Sequence, residues 1–167
     1  MEYIWAPWRI QYIEKKRSAR CILCEKPLEN KDVPNYILYR GEQNYIILNS
    51  YPYNPGHLMV VPYRHVASLE QMNKKELHEH FEIVRRTIAI LRQELKPGGF
   101  NIGANLGNVA GAGIGDHYHS HIVPRWQGDT NCMPVLADTK VIPEGLVKTY
   151  QKLKGRFESN ILKRSRS

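Results

Sequence analysis

The stretch Gly115–Trp126, GDHYHSHIVPRW, sets His117, His119 and His121 at every second position. Successive side chains of a β-strand point to opposite faces, so residues two apart share one. An extended backbone here puts the three imidazoles on one face and Tyr118, Ser120 and Ile122 on the other. Burying three imidazoles for packing alone is costly, because each ring needs a hydrogen-bond partner. Three of the chain's seven histidines in one register point to chemistry. Two kinds suit them: metal ligation, and attack of a neutral imidazole on an electrophile.

The segment just before the ridge, Leu106–Asp116 (LGNVAGAGIGD), holds Gly107, Gly111, Gly113 and Gly115. Glycine turns present backbone N–H groups closely enough to cradle phosphate. Beside a histidine ridge, such a loop points to phosphoryl or nucleotidyl transfer, because a phosphoramidate formed on imidazole is labile enough to turn over. Asn105, Gly107 and Gly113 are the candidate phosphate-binding positions, and the Asp116 side chain is expected to face away from the anion. Arg125, after Pro124, either meets a phosphate or covers the rim.

Outward from the ridge the pattern alternates strands with one long helix. Tyr36–Tyr39 and Tyr45–Leu48 read as strands joined by a turn at Gly41-Glu42. NSYPYNPG (Asn49–Gly56) is dense in turn residues. HLMVVP (His57–Pro62) is an apolar run suited to a strand buried on both faces. Asn73 caps the long helix with Glu76 three residues on. Leu77, Phe81, Val84, Ile88, Leu91 and Leu95 supply its apolar face, and Pro97-Gly98-Gly99 stops it. Phe100–Asn105 reads as a further strand. A last helix follows Pro143-Glu144, with Leu146, Tyr150 and Leu153 on one face. The segment Cys21–Pro34, with two prolines, reads as a loop, and Tyr3–Ile13 as an aromatic-rich arm. The fold class is α+β: an antiparallel sheet with one long helix and a C-terminal helix. A single domain over 1–158 is expected, with a basic tail at 159–167.

The 167 residues include 24 Lys+Arg against 16 Asp+Glu, a net charge of +8. That excess favours an anionic partner without naming it. No run of 18 apolar residues exists, the N-terminus does not read as a signal peptide, and a cytoplasmic protein is expected, with no membrane partner. Cys21 and Cys24 form C-x-x-C without the βαβ context of a redox motif, and Cys132 stands alone as an ordinary thiol. The pair is either two reduced structural thiols or half of a four-ligand zinc site.

HYHSHIV (His117–Val123) resembles the His-φ-His-φ-His-φ-φ signature of the histidine triad (HIT) superfamily of nucleotide hydrolases and transferases. LNSYPYNPGHLMVVPYRH (Leu48–His65) resembles that family's strand-turn-strand segment, and FNIGANLGNVAGAGIGDH (Phe100–His117) its approach to the triad. The likeness covers about Cys21 to Gly128. IWAPWRIQYI, the C-x-x-C, ANLGNVAGAG and VPRWQGDTNCMPV are most similar to the bacterial diadenosine tetraphosphate phosphorylase branch.

The resemblance implies roles. His119 matches the nucleophile that attacks the α-phosphorus. His121 matches the residue at the scissile phosphate and leaving oxygen, His57 a histidine supporting the nucleophile, and Asn49 a ribose-binding position whose plain alternative is a turn residue. Cys21 and Cys24, joined by His65 and His117, would hold a structural zinc, and a divalent cation such as magnesium would accompany the polyphosphate. Homodimers are typical of the family.

Two departures stand out. Ser120 occupies an apolar position of the signature, which is expected to weaken local packing and leave the chemistry alone. Hydrolase members carry a Gln just before the triad, where this chain has Ala112-Gly113-Ile114-Gly115. The leading expectation is phosphorolysis of dinucleoside polyphosphates. Its rivals are hydrolysis of those substrates or of nucleoside phosphoramidates, and a non-catalytic nucleotide- or nucleic-acid-binding module using the basic termini and Trp5, Trp8 and Trp126. No ordered motif resembles a nucleic-acid reader.

Overall fold

Among the described residues, five strands form one antiparallel sheet in the order β1-β2-β3-β5-β4: β1 (Ile37–Arg40), β2 (Asn44–Leu48), β3 (Leu58–Pro62), β4 (Gly99–Gly103) and β5 (Ser120–Arg125). The computed structural model describes residues 20–130 and 142–162, with side chains through residue 158. The aromatic arm, Cys132 and residues 163–167 of the expected tail lie outside the described residues. No helix of the described residues is long and apolar enough to cross a membrane.

β2 and β3, NYIIL and LMVVP, are buried along their whole length. Their register runs from Asn44 opposite Pro62 to Leu48 opposite Leu58. Alternation then divides the side chains. Ile46, Leu48, Leu58 and Val60 meet Val84 and Leu91 of the long helix and Leu153 and Phe157 of the last one. Tyr45, Ile47, Met59 and Val61 face the other way and pack with Leu23.

The segment expected to be a loop contains two short helices, α1 (Ile22–Leu28) and α2 (Asp32–Asn35). Its prolines do not prevent them. Pro34 lies in the first turn of α2, where backbone N–H groups have no intrahelical partner. Pro27 comes one residue before the end of α1 and is buried.

Helix α3 (Lys74–Leu95) begins as its sequence indicates. Asn73 Oδ1 accepts from the N–H groups of Lys75 and Glu76, and the Glu76 carboxylate accepts from Asn73 N–H. Lys96, at φ 48°, ends it in the left-handed region. The face it buries is rotated from the apolar stripe. Phe81 is 52% exposed, whereas Glu76, His80 and Thr87 are buried beside Ile83, Val84, Ile90 and Leu91. The last helix, α4 (Leu146–Leu162), buries Tyr150, Leu153 and Phe157. It extends four residues past the expected start of the tail at 159.

Buried His80 is accommodated by a chain of hydrogen bonds. Asn44 Nδ2 donates to the Glu76 carbonyl and the Glu79 carboxylate, so Asn44 Oδ1 accepts from His80 Nδ1–H at 3.0 Å. His80 Nε2 then accepts from the Ser120 hydroxyl at 2.8 Å, and Ser120 Oγ accepts from Tyr118 at 2.9 Å. Burial pushes the imidazole down to about 4, which keeps this neutral tautomer. Ser120 therefore does not weaken packing. It trades an apolar contact for a satisfied polar one joining β5 to α3.

Thr87 contrasts with His80. It is 0% exposed, and its hydroxyl has no hydrogen-bond partner among the described residues. Thr87→Val should raise stability by about 1 kcal/mol, because it removes an unpaired polar group at nearly constant volume. His80→Leu should lower it by about 2 kcal/mol, since Asn44 and Ser120 lose their partner. Urea midpoints at constant m-value check both signs.

Candidate active site

The register of β3 with β5 decides where the histidines point. Met59 stands opposite His121, and Val60 opposite Ser120. His121 therefore lies on the face of Met59, away from α3, while Ser120 and Ile122 turn toward the helices. His117 and His119 precede the regular ladder, which begins at Ser120. Tyr118 N–H, donating to the Val66 carbonyl at 2.6 Å, anchors them.

Main-chain groups choose which nitrogen of each ring donates. His119 Nδ1–H donates to the His117 carbonyl at 2.8 Å, leaving the Nε2 lone pair free. His117 Nε2–H donates to the Pro62 carbonyl at 2.9 Å, leaving Nδ1 free. Tyr53 N–H donates to His57 Nδ1 at 3.1 Å. His57 Nε2–H then donates to His121 Nδ1 at 2.9 Å, so His121 presents Nε2–H outward. The His119 and His121 rings lie edge to face, 4.8 Å apart. Burial, reinforced by neighbouring imidazoles, pushes His57 down to about 3 and His121 to about 4. One ring thus offers a lone pair beside another that offers a proton. That suits nucleophilic attack on a centre whose leaving atom needs a hydrogen bond.

The free Nδ1 of His117 faces the thiols. Cys21 and Cys24 Sγ lie 3.2 and 3.3 Å from it, and Cys24 Sγ lies 3.4 Å from His65 Nδ1. The four donor atoms all lie within 4.8 Å of one another. Two sulfurs and two imidazoles at this spacing fit a closed tetrahedral metal site. Cys21 caps α1 and Cys24 is one turn in, so the unforeseen helix is what aims both thiols at one point. Burial and the neighbouring Cys21 push the Cys24 thiol up to about 11, a cost that a bound cation removes. Asp116 approaches His65 Nε2 at 3.7 Å.

The remaining candidates divide. Asn49 Oδ1 accepts from Tyr51 N–H, and Asn49 Nδ2 lies 3.4 Å from the His57 ring, so it borders the histidines. Asn105 Nδ2 donates to the Gly111 carbonyl and closes the loop. Gly107 and Gly111, at φ 79° and 85°, hold backbone conformations that favour glycine. Gly113 does not: no positive φ is needed there, and a Cβ would meet nothing within 4 Å. The Arg125 guanidinium is held by both oxygens of Asp129 and by Asn101 Oδ1.

Sequence reasoning missed Tyr53 and His80. Tyr53 was hidden in a turn-rich segment. His80 stood one position from the apolar stripe, and its spacing to Asn44 and Ser120 carries no pattern.

Residues 30–128 match the HIT domain family. The AP-4-A phosphorylase of Mycobacterium tuberculosis is 38% identical over 162 residues, covering 92% of this chain and 83% of that protein. The asymmetrical bis(5'-nucleosyl)-tetraphosphatase of Schizosaccharomyces pombe is 32% identical over 58% of this chain and 53% of that protein. In fold, the chain is similar to the crystal structure of a zinc-bound histidine triad family protein from Mycobacterium smegmatis, with a TM-score of 0.67, 24% identity and coverage of 86% of this chain and 97% of that one.

The depressed histidines predict acid sensitivity. His57, His80 and His121 are neutral when folded but regain an ordinary pKa near 6.5 when unfolded. Their stabilising contribution is complete above that value and is lost as pH falls toward about 4, because the unfolded chain then binds more protons. In metal-free protein, His80→Gln should reduce proton uptake on unfolding by about one between pH 6 and pH 4.5. Urea titrations at several pH values measure it. An unchanged slope would mean that His80 is not held neutral.

Proposed function

Because the chain belongs to the HIT domain family, we propose that it is a nucleotidyl transferase that phosphorolyses dinucleoside polyphosphates, converting diadenosine tetraphosphate and phosphate to ATP and ADP. The observation that carries this reading is the Nδ1–H bond of His119 to the His117 carbonyl, which leaves Nε2 as its remaining nitrogen, beside the outward N–H of His121.

The steps follow from those two nitrogens. His119 Nε2 attacks the α-phosphorus. A P–N bond forms as the bridging P–O bond breaks, and ATP departs with its oxygen stabilised by His121 Nε2–H. The ring becomes cationic, and the carbonyl of His117 stabilises its Nδ1–H. An oxygen of inorganic phosphate then attacks the nucleotidyl-histidine, the P–N bond breaks, and ADP leaves. His57 keeps His121 in the donating tautomer. Asn49 is assigned to the ribose, and Asn105 with the loop from Gly107 to Gly113 to the phosphates. A divalent cation enters with the polyphosphate as part of the substrate.

Phosphorolysis over hydrolysis is supported by the AP-4-A phosphorylase relative and by a loop that offers backbone N–H groups but no Gln to orient water. Hydrolysis is the second reading, favoured by the tetraphosphatase relative. Cys21, Cys24, His65 and His117 would hold a structural zinc, which clamps the strand bearing His119 to α1. The free thiols and the nucleotide substrate fit a cytoplasmic setting. A homodimer joined along β4 is part of the same reading. That strand is the last in the sheet, which leaves its outer backbone edge unpaired among the described residues, and its Ile102 is 51% exposed.

With phosphate present, the products of diadenosine tetraphosphate should be ATP and ADP, resolved by ion-exchange chromatography. AMP in place of ADP would establish hydrolysis instead. His119→Ala should lower kcat more than about a hundredfold while leaving nucleotide binding nearly intact. Retention of a tenth of the wild-type rate would remove His119 from the covalent step.

Zinc is tested separately. Protein purified without chelator should contain about one zinc per chain, and Cys24→Ser should lose it. Full folding and full activity in zinc-free protein would overturn the site.

A further inference from the structure

Tyr53 does two things at the site through two different parts of the residue. Its backbone N–H holds His57 in the tautomer that donates to His121. Its ring lies over the same pair, with its centroid 4.6 Å from that of His57 and 6.1 Å from that of His121, the latter nearly parallel at 28°. Yet Tyr53 is 56% exposed. One side of the ring is occupied by imidazole and the rest is open at the mouth of the site. A tyrosine buried for packing would be covered, and one left on the surface by chance would not stack on the donor histidine.

We propose that the Tyr53 ring is the stacking platform for the purine base of the departing nucleotide, so that it selects substrates carrying a second nucleoside. The inference rests on the nucleotidyl-transfer reading above and deepens it. His121 Nε2–H is assigned to the oxygen of the leaving group, so the departing polyphosphate starts next to the imidazole over which Tyr53 lies. A flexible triphosphate lets the attached nucleoside fold back onto the first open aromatic surface beside its path. The match is chemical. A purine offers a large π-face without demanding directional hydrogen bonds, and tyrosine offers one in return at low conformational cost. No cation or hydrogen-bond partner of the base is required, which suits an open mouth. The second role, tautomer selection through the main chain, survives any replacement of the side chain except proline, and this allows the two roles to be separated.

The experiment measures binding in a His119→Asn background, where turnover is blocked, by calorimetry with magnesium. The two ligands are diadenosine tetraphosphate and adenosine 5'-tetraphosphate, which carries the same phosphates and no second base. Tyr53→Ala should weaken the first about tenfold, the size of one base–aromatic stack, and leave the second unchanged. Tyr53→Phe and Tyr53→Trp should keep the preference. If both ligands weaken together in Tyr53→Ala, the ring only supports His57 and the platform is overturned. The same holds if neither ligand weakens, or if Tyr53→Phe behaves like Tyr53→Ala. If neither ligand binds the Tyr53-containing protein, the nucleotidyl-transfer reading itself fails, an outcome distinct from the others.

Discussion

The hydrogen bond from His119 Nδ1 to the carbonyl of His117 is the constraint around which the site is arranged. It spans two residues of one segment, and it decides which nitrogen of His119 carries a lone pair. Equivalent bonds settle His117 and His57, and His57 settles His121. Four imidazoles of the same intrinsic chemistry become a candidate metal ligand, a ring with Nε2 left over, a tautomer holder and a hydrogen-bond donor. Free histidines interconvert between these states, whereas main-chain donors and acceptors in a folded sheet do not move to accommodate them.

Such a chain of bonds works only if the backbone of His117–His119 stays in place, although this segment lies outside the regular ladder. Three attachments hold it. Tyr118 N–H bonds the Val66 carbonyl. The Cys21, Cys24, His65 and His117 cluster pins its start to α1. On the opposite face, Ser120 bonds His80, which bonds Asn44, which bonds Glu79. The Glu79 carboxylate also accepts from the N–H groups of Glu42 and Gln43, so the β1–β2 turn, α3 and the histidine segment form one polar unit. Inside a low-dielectric core a fully satisfied chain of this kind is rigid, and a broken one is costly.

The candidate metal cluster and the His119–His121 pair lie close together because His117 is only two residues from His119. His117 and His119 are two residues apart on one face, so a metal bound to the first stands next to the carbonyl that orients the second. Ligation at His117 Nδ1 would draw charge from the ring whose Nε2–H meets Pro62 and so would strengthen that bond. An ion held there would act through position alone.

The sequence by itself determined the alternation of His117, His119 and His121, the capped helix from Asn73, the apolar strand HLMVVP and the glycine loop. Each depends on neighbours within a few residues, where periodicity and capping rules apply. The family likeness added the partners of the C-x-x-C before any coordinates did. Other features were decided only by tertiary structure. Pro34, read as a breaker, sits in the first turn of a short helix, which needs no N–H partner, and Pro27 sits buried one residue before the end of the other. The buried face of α3 is rotated onto His80, because Asn44 and Ser120, 36 and 40 residues away, satisfy it. Arg125 is claimed by Asp129 and Asn101, and Gly113 lies in open space. Tyr53 acquires meaning only when the turn that carries it folds over His57 and His121. Local sequence encodes what a residue can do. Which partner it meets is set by sheet register and helix rotation, and these depend on contacts between distant parts of the chain.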